Sequence, residues 1–510
     1  MSPPTQPAYA AIENNTHPKW WKDPGLRKMM TAVVMLYFNA WTWGYDGTLL
    51  NAFQAMPVWQ QYFNHPTGGA LGIIAAIFYL PAIGTPFIGS FLGDRIGRRA
   101  TLFGACLFSI AGALLTTFAT GRGMLIAGRG VMGAALGVQS TIGPPLMQEI
   151  CHPRLRARAA AMWFITYQAG TCISAWICFG TLSWQSQWSW RLPSLFQITG
   201  TALICIYTLL GQMPESPRFL VSKGKEAAAL KTLADLHANG EQDDPLVQYE
   251  LQEIKLGIEM DKHNSSSYLD LVRTPGNRKR IFVLLFIAVS GQFAGNALVS
   301  YYLTPILELV GISNPRQISG INGGLAIFST LNSALAAQFV ERWGRRPLWL
   351  SCMSGVLVCF VIITGLSGGF DATKNPATGI ALVPFLYLYF MFYNAGWITN
   401  GALYTVEILP YSIRAKALSL YVCVQTLAIA FNSYVNPIGL ERIGWKYYLV
   451  FVVCDAVWLI IAYFFLQETK GYTLEEVTRL FDGKEAADNV ADTAHDLEVV
   501  TSRKEEIEKY

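Results

Sequence analysis

Long apolar blocks recur along this chain, and they restrict its possible folds more than any other feature. Each block has about twenty residues, the length that an α-helix needs to cross a bilayer. Twelve blocks are present, near residues 29–50, 70–90, 101–119, 123–146, 158–180, 192–212, 281–305, 317–340, 347–366, 380–404, 416–437 and 447–466. They lack the apolar and polar alternation of membrane barrel strands. The pattern predicts an all-α membrane protein with twelve transmembrane helices.

The charged residues support this interpretation and predict an orientation. Only 14% of the 510 residues are charged, whereas soluble proteins carry about 25%. Four short loops on one side, DRIGRR, PRLRAR, ERWGRRP and IRAK, contain eleven Lys and Arg residues, and the connections on the other side contain six. Because Lys and Arg in short loops favour the cytosolic side, both termini are predicted to be cytosolic.

Three motifs of the first half return in the second half. GDRIGRR returns as VERWGRR, EICHPRLR as EILPYSIR and PESPRF as QETKGY, with their acidic residues 247, 258 and 253 positions later. Such a repeat indicates two related six-helix halves. The predicted regions are a cytosolic N-terminal segment, a first six-helix bundle, a cytosolic helical linker, a second six-helix bundle and a cytosolic tail, at residues 1–28, 29–212, 213–280, 281–466 and 467–510.

Six motifs occur in the order that is typical of one known family: GYDG, GDRIGRR, GRGVMG, PESPRF, GRRP and ETKGYTLEE. Over nearly its whole length the chain resembles the sugar porter branch of the major facilitator superfamily. GYDGTLLNAFQAMPVWQQYF, SGQFAGNALVSYY and NPIGLERIGWKYY are similar, more narrowly, to fungal lactose and cellobiose permeases. The resemblance implies a monomeric plasma-membrane transporter that needs no cofactor. It would move a disaccharide or related sugar together with a proton, by alternating access.

Other functions stay open at this point. The same fold serves facilitative carriers of hexoses, pentoses or polyols, and a sugar sensor would bind without transporting. The tail of about forty residues that is predicted to be disordered is short for a signalling receptor, which disfavours the sensor. The histidines lack metal-ligand spacing, and no motif of an enzyme or of nucleic-acid binding is apparent. The predicted partners are therefore a sugar, a proton and the lipid bilayer.

Asp46, in GYDG, is a carboxylate inside the first apolar block. Ionisable residues within membrane spans are rare and usually face a partner or a water-filled cavity. A candidate partner is Arg129, in GRGVMG near the start of the fourth block. The resemblance implies that this pair loads and releases the coupled proton. A structural ion pair in a uniporter, or a carboxylate at the outer water boundary, are the alternatives.

Amide and aromatic side chains near the block centres are candidates for binding sugar hydroxyls and ring faces. They are Gln168, Gln292, Asn296, Asn332, Asn394, Trp397, Asn400, Gln425 and Asn432. The resemblance supports Gln168, Gln292 and Asn394 as sugar contacts. GNA at Asn296 departs from the family pattern, and so does GQ in place of two glutamines, which favours a sugar other than a hexose. The alternative is that these amides join helices.

Charged residues of the repeated loop motifs are candidates for a gate on the cytosolic side. They are Asp94, Arg98, Glu149, Arg156, Glu215, Glu341, Arg345, Glu407, Arg414 and Glu468. The resemblance implies that they form a salt-bridge network that stabilises the outward-open state; the alternative is that they only set the topology. Tyr301 and Tyr302 are candidates for an outer gate or for ordinary packing. For Asp455, in the twelfth block, a local hydrogen bond is expected.

Overall fold

The computed structural model describes residues 12–263, 268–470, 477 and 480–482, without the side chains of 260–263, 334, 337–342, 402, 411, 412 and 415. Every regular element among these residues is a helix. The first half comprises Pro24–Gln54 (span 1), Gly68–Ile96 (span 2), Arg98–Thr117 (span 3), Arg122–Ile150 (span 4), Pro153–Thr181 (span 5) and Trp188–Leu209 (span 6). The second half comprises Pro275–Tyr301 (span 7), Pro315–Trp343 (span 8), Arg345–Thr373 (span 9), Pro376–Glu407 (span 10), Tyr411–Ile443 (span 11) and Tyr448–Phe465 (span 12).

Short helices connect the spans. Pro57–Tyr62 follows span 1, Leu303–Leu309 follows span 7, and the 3-10 turns Trp20–Lys22 and Gly444–Tyr447 precede spans 1 and 12. Between the halves lie Pro217–Ser222, Glu226–His237, Pro245–His263 and Asp270–Arg273. The side of the molecule with these linker helices is called the terminal side below, and the opposite side the far side.

Four spans are interrupted. Span 2 consists of Gly68–Ala76, Tyr79–Ala82 and Thr85–Ile96; span 6 of Trp188–Phe196 and Ile198–Leu209; span 7 of Pro275–Phe293 and Asn296–Tyr301; and span 10 of Pro376–Tyr393, a π-helical turn at Asn394–Asn400, and Gly401–Glu407. Span 7 breaks at Gly295, whose φ of 85° favours glycine. π-Helical turns often occur at functional sites, and this one holds three of the sugar-binding candidates, Asn394, Trp397 and Asn400.

Seven helical stretches of the described residues are long and apolar enough to cross a membrane, the last of them, Lys416–Phe465, covering parts of spans 11 and 12. Among the described residues, spans 1, 4 and 5 do not reach this hydropathy, although each has 29 residues or more. They carry the polar candidates Asp46, Arg129 and Gln168, in that order. Three spans on which the sequence predicts function are therefore less apolar than the others.

The two halves meet along three pairs of spans. Span 5 packs against span 8, span 2 against span 11, and span 1 against the end of span 7 and the helix that follows it. Spans 1, 5, 7, 8 and 11, which carry most of the candidate residues, thus lie at the junction of the halves. A ligand held at this junction would contact both halves, which is the arrangement that alternating access requires.

The segment before span 1 fastens the linker helices to the first half. Asn14 donates from Nδ2 to the carbonyl of His237, at 2.9 Å, and to Asp244 Oδ1, at 3.1 Å. Asp23 caps span 1, because its Oδ1 accepts from the backbone N–H of Leu26 at 2.9 Å. His237 in turn lies 2.6 Å from Glu250. Residues 14–23 therefore bridge span 1 and two of the linker helices.

Candidate functional site

Asp46 lies buried in span 1, five residues before Asn51, which bonds to the second half. Its side chain is 3% exposed, and its Oδ2 atom has no hydrogen-bond partner among the described residues. A buried carboxylate without a partner is costly, and a proton removes that cost. Asp46 is thus placed where a change of protonation has a large energetic effect.

Arg129 is also buried, at 6% exposure, but its contacts are with span 2. Its Nε atom donates to the carbonyl of Ile74 at 2.8 Å, and its guanidinium lies 5.3 Å from the ring centre of Phe78. Within the described part of the chain, no ion pair of 4.0 Å or less joins Arg129 to Asp46. The two residues that the sequence predicts as a pair are therefore not in direct contact in this conformation.

A close helix approach holds this region in place. Span 2 breaks at Ile77 and Phe78, between two of its helical segments. Gly133 of span 4 packs against the break, and a Cβ atom there would lie 1.8 Å from the carbonyl oxygen of Phe78. The glycine spacing in GRGVMG is thus explained by helix packing, and it brings the broken part of span 2 against Arg129.

A chain of contacts brings three sugar-binding candidates to one region. Gln168 of span 5 donates weakly to Ser333 Oγ of span 8, at 3.5 Å and across the halves. The neighbouring Asn332 donates from Nδ2 to the carbonyl of Met391, at 3.1 Å. Met391 lies one turn before the π-helical turn that begins at Asn394. Gln168, Asn332 and Asn394 are therefore linked through spans 5, 8 and 10.

Trp397 and Tyr393 form an aromatic wall beside Gln292. The two rings are stacked, with centroids 5.3 Å apart and planes 15° apart. The Trp397 Nε1 atom donates to Ser290 Oγ at 3.1 Å, and the Tyr393 hydroxyl donates to the carbonyl of Gly291 at 3.0 Å. Both contacts fall within two residues of Gln292. Span 10 thus places aromatic faces next to this amide, which is the combination that sugar binding uses.

Four candidate amides keep buried polar atoms without partners among the described residues. They are Gln292 Oε1, Asn394 Nδ2, Asn400 Oδ1 and Asn432 Nδ2, which together offer two acceptors and two donor groups. Buried polar atoms are normally paired, so these four suit a hydroxylated ligand. Two other candidates are engaged locally. Asn296 accepts from Ser300 Oγ at 2.9 Å, and Gln425 donates to the Tyr421 hydroxyl at 3.4 Å.

The amide Asn400 also joins two spans. Its Nδ2 atom donates to the carbonyl of Arg345, at 3.0 Å, so it joins span 10 to the start of span 9. Gln139 and Asn39 likewise bond to carbonyls of neighbouring spans, those of Ala105 and Gln139. Some of the buried amides in this chain therefore do join helices, as the structural alternative proposed.

On the far side, hydrogen bonds close the junction of the halves, most of them between neutral side chains and backbone groups and one from Thr67 to the Glu441 carboxylate, at 2.8 Å. The hydroxyls of Tyr79, in span 2, and Tyr301, in span 7, are 2.7 Å apart. Gln54 donates to the carbonyl of Tyr301 at 2.7 Å, and Asn51 donates to Asn322 Oδ1 at 3.0 Å. Tyr301 thus bridges the halves.

Tyr302 differs from its neighbour. Its hydroxyl donates to the carbonyl of Ser433, so this bond stays within the second half. Of the two tyrosines predicted as an outer gate, only Tyr301 contacts the first half through its hydroxyl. The far-side partners Tyr79, Gln54 and Asn51 were missed by the sequence analysis, because each lies in an apolar block or at its end, with no motif around it.

On the terminal side, the first half binds its loop arginine internally. Arg98 lies 3.0 Å from Asp94 and 3.5 Å from Glu149. Glu215 accepts from the backbone N–H groups of Arg98, at 2.9 Å, and Arg99, at 3.1 Å, at the start of span 3. A carboxylate at a helix N-terminus is favoured by the helix dipole, so Glu215 caps span 3.

The second half repeats this arrangement. Arg345 lies 2.7 Å from Glu407, and Glu468 accepts from the backbone N–H groups of Arg345, at 2.9 Å, and Arg346, at 3.0 Å. The residues that precede the two capped helices are Gly97 and Gly344, with φ of 103° and 91°. The repeated motif therefore codes for the same glycine turn and acidic cap in both halves. The Glu341 side chain lies outside the described ones.

The remaining two arginines of the predicted gate bind backbone groups of their own loops. Arg156 donates to the carbonyl of Cys151 at 3.4 Å and lies 3.7 Å from Glu250 of the linker. Arg414 donates to the carbonyl of Leu409 at 2.9 Å. Among the described side chains, no gate residue forms an ion pair with the opposite half. The charged motifs thus form two separate groups, one in each half.

Asp455 departs from the expectation of a local hydrogen bond. It is 2% exposed in span 12, and no hydrogen bond to its Oδ2 atom is found among the described residues. The reason is its surroundings, since span 12 packs mainly on the apolar face of span 9. Asp455 lies outside the group of candidate residues described above.

Comparison with known proteins agrees with this geometry. Residues 32–481 match the family described as "Sugar (and other) transporter". The MFS-type transporter oryC of Aspergillus oryzae is 28% identical over 420 residues, which cover 81% of this chain and 77% of that protein. The MFS glucose transporter mfs1 of Aspergillus flavus is 26% identical, covering 86% and 87% of the two chains.

Solved structures show the same fold. The inward open conformation of the xylose transporter XylE from E. coli matches with a TM-score of 0.72 and 20% identity, covering 89% of this chain and 100% of that one. The structure described as the proton:xylose symporter XylE bound to 6-bromo-6-deoxy-D-glucose matches with a TM-score of 0.68 and 20% identity. The predicted major facilitator fold is thereby confirmed.

Proposed function

Because this chain belongs to the family of sugar (and other) transporters, we propose that it is a secondary active transporter that moves a sugar together with a proton. The proposed route runs between the two halves, by alternating access. The proposed location is the plasma membrane, with both termini in the cytosol and the monomer as the functional unit. The terminal side is then cytosolic, and the far side faces the outside.

One observation carries the proton coupling, namely the state of Asp46. Among the described residues, this carboxyl is buried, lacks a partner for Oδ2 and forms no ion pair with Arg129, in a conformation whose far side is closed. A neutral acid is tolerated there, whereas a carboxylate is stable only beside a counter-charge. We propose that a proton binds Asp46 from the outside, travels with the sugar and leaves to the cytosol.

The contacts at the two ends agree with an inward-facing conformation. The far side is closed by Tyr79, Tyr301 and Gln54, whereas the described side chains of the charged motifs on the terminal side form ion pairs only within their own half or with the linker. In the outward-open form, the loop arginines and acidic residues of the two halves are proposed to pair with each other. Closing this network would then compensate for opening the far side.

The proposed substrate site lies between Gln168 and the aromatic wall of Trp397 and Tyr393. Gln292, Asn394 and Asn432 would exchange hydrogen bonds with sugar hydroxyls, because each keeps an unpaired polar atom. The departures from the usual pattern around Gln292 and Asn296 support a disaccharide or related sugar over a hexose.

The second candidate function is facilitative transport of a hexose, pentose or polyol. It is favoured by the names of two relatives, the glucose transporter mfs1 of Aspergillus flavus and a high-affinity glucose transporter of Candida albicans, 26% and 24% identical to this chain. In this case Asp46 would be a structural residue. A sensor that binds sugar without moving it is the weakest alternative, since each half keeps the gate motifs of a transporter.

Uptake in transporter-null cells tests the proposal. Radiolabelled cellobiose, lactose, glucose and xylose are supplied in turn at two pH values, each with and without a protonophore. The proposal predicts accumulation of a disaccharide that is faster at acidic pH and is lost with the protonophore. Uptake of a monosaccharide that equilibrates and ignores both conditions indicates the facilitator, and binding without uptake indicates the sensor.

A further inference from the structure

A basic pocket lies on the terminal side, where spans 1 and 5 begin. Its volume is about 340 Å³. Three cationic side chains line it, those of Lys19, Arg154 and Arg158, and Pro18, Trp20, Trp21 and Leu155 complete its wall. No acidic residue is among them. The transport site described above uses none of these residues.

Two of the three cations are free to bind a ligand. Among the described residues, the Lys19 amine and the Arg158 guanidinium form no hydrogen bond or ion pair, and both side chains are exposed. Arg154 is partly held in place, because its Nη2 atom donates to the carbonyl of His17 at 3.0 Å. The pocket therefore combines one oriented guanidinium with two unpaired positive charges, which suits a phosphate group.

The two tryptophans fix the level of the pocket relative to the bilayer. Trp20 packs against the buried apolar cluster that includes Leu26 and Met29 of span 1, whereas Trp21 is 55% exposed. Their rings meet edge to face, with centroids 5.9 Å apart. Tryptophan next to the end of a membrane span marks the headgroup region. The cations of the pocket are thus at the height of lipid phosphates.

We propose that this pocket binds the headgroup of an anionic phospholipid. Basic pockets beside span ends on the cytosolic side suit such headgroups, since the cytosolic leaflet carries the anionic lipids. A lipid fits better than a soluble phosphate because the wall is partly apolar, with Trp21 and Leu155 able to contact the glycerol and acyl region. The headgroup phosphate would lie between Lys19 and Arg158.

Binding at this pocket has a structural consequence. Arg154 contacts the segment before span 1, and this segment holds the linker helices through Asn14. A lipid that neutralises the pocket would therefore stabilise the contacts between residues 14–23, span 5 and the linker. The inference does not depend on which sugar is carried or on proton coupling.

Direct binding of a short-chain lipid tests the proposal. The purified full-length protein in a neutral detergent is titrated with dioctanoyl phosphatidylinositol phosphate, and binding is followed by native mass spectrometry. Lys19→Gln and Arg158→Gln should each weaken binding about fivefold, the worth of one cation near an anionic lipid. Lys22→Gln is the matched control, because Lys22 is exposed in the same segment but does not line the pocket. It should leave binding unchanged.

Two further binding measurements distinguish an anionic lipid from a zwitterionic lipid and from a free headgroup. Dioctanoyl phosphatidylcholine should bind far more weakly than the anionic lipid. The free inositol phosphate headgroup should also bind more weakly than the lipid, and this difference in affinity should be smaller in Trp21→Ala than in the wild type. Equal losses in Lys19→Gln and Lys22→Gln would show a diffuse surface charge and overturn the pocket. Equal affinity for the free headgroup would overturn the lipid as its occupant. Monodisperse elution of each variant confirms that it is folded.

Discussion

The two ends of the junction between the halves are held by different chemistry. On the far side, hydrogen bonds of 2.7 to 3.0 Å cross from one half to the other; those around Tyr79 and Tyr301 join neutral groups, and one from Thr67 ends on the Glu441 carboxylate. On the terminal side, ion pairs such as that of Arg345 with Glu407 stay within one half. Each neutral bond contributes only about 0.5–1.5 kcal/mol, so a few such bonds can close one end and still open in every transport cycle.

The difference also indicates what the charged end is for. Partly exposed ion pairs contribute about 0–1 kcal/mol each, so the loop arginines can exchange partners at small cost. We interpret the far-side hydrogen bonds as the contacts that close the present conformation. We interpret the terminal-side charged residues as groups that form ion pairs between the halves in the outward-open conformation. The predictions below weaken one end, the other end, or the site between them.

Arg129→Ala should have the largest effect, because Arg129 supports the far-side closure through Ile74 and is the proposed counter-charge of Asp46. Losing a hydrogen bond from a charged group costs about 1.5–3 kcal/mol, so initial uptake should fall roughly tenfold or more. Accumulation should be lost. Arg122→Ala is the control, because Arg122 lies in the same span as Arg129. Its Nε atom donates to the carbonyl of Phe63, in the far-side loop, at 2.7 Å. Equal uptake in both variants would remove Arg129 from the mechanism.

Gln168→Ala and Gln292→Ala should weaken sugar binding in the site between the two ends. An unpaired hydroxyl in a desolvated site costs about 1–3 kcal/mol, or roughly five- to 150-fold in apparent affinity. Gln139→Ala is the matched control, because that buried amide bonds only to Ala105 of a neighbouring span. Competition uptake at matched surface expression measures the affinities. Wild-type affinity in both site variants would place the sugar elsewhere.

Tyr79→Phe should weaken the far side while leaving the fold intact. The loss of one hydrogen bond, about 1 kcal/mol, should raise the outward-open population roughly fivefold. A cysteine at Ser300, beside the gate, reports this change through labelling by a membrane-impermeant maleimide. Tyr389→Phe is the control, because its hydroxyl donates to the carbonyl of Ala294 within the second half. No difference between the two variants would show that the Tyr79 and Tyr301 contact does not close the gate.

Arg98→Ala and Arg345→Ala should have the smallest effects, in the opposite direction. Each removes a partner that the outward-open state is proposed to use, so outside labelling at Ser300 should fall. The expected change is at most about fivefold, since the pairs are partly exposed. Unchanged labelling in both variants would reduce these motifs to topology signals.

Much of the fold was predictable because its causes are local in the sequence. Apolar blocks mark the spans, and the recurrence of GDRIGRR as VERWGRR marks equivalent turns. The structure gives the reason for that recurrence, since Gly97 and Gly344 both adopt a positive φ before a helix that an acidic residue caps. Local backbone requirements of this kind leave a signature that a single sequence reveals.

The site was predictable in its residue types but less so in its contacts. Gln292 and Asn400 are both buried amides of the second half, and each keeps one unpaired oxygen among the described residues, but Asn400 also binds the carbonyl of Arg345 through its Nδ2 atom. The role of Tyr79 in the far-side contact could not be predicted, because tyrosine is common in apolar blocks and no motif surrounds it. The separation of Asp46 from Arg129 depends on the conformation of the whole molecule, which no local pattern encodes.

Proton movement driven by sugar tests the central claim most directly. Wild-type protein and Asp46→Asn are placed in liposomes that contain a pH-sensitive dye, and an inward gradient of the transported sugar is imposed. The account predicts that the wild type acidifies the lumen as sugar enters. Asp46→Asn should not acidify it, although it still exchanges labelled sugar in counterflow, because exchange needs no change of protonation. Sugar entry without acidification in the wild type would contradict the account and leave Asp46 a structural residue of a facilitator.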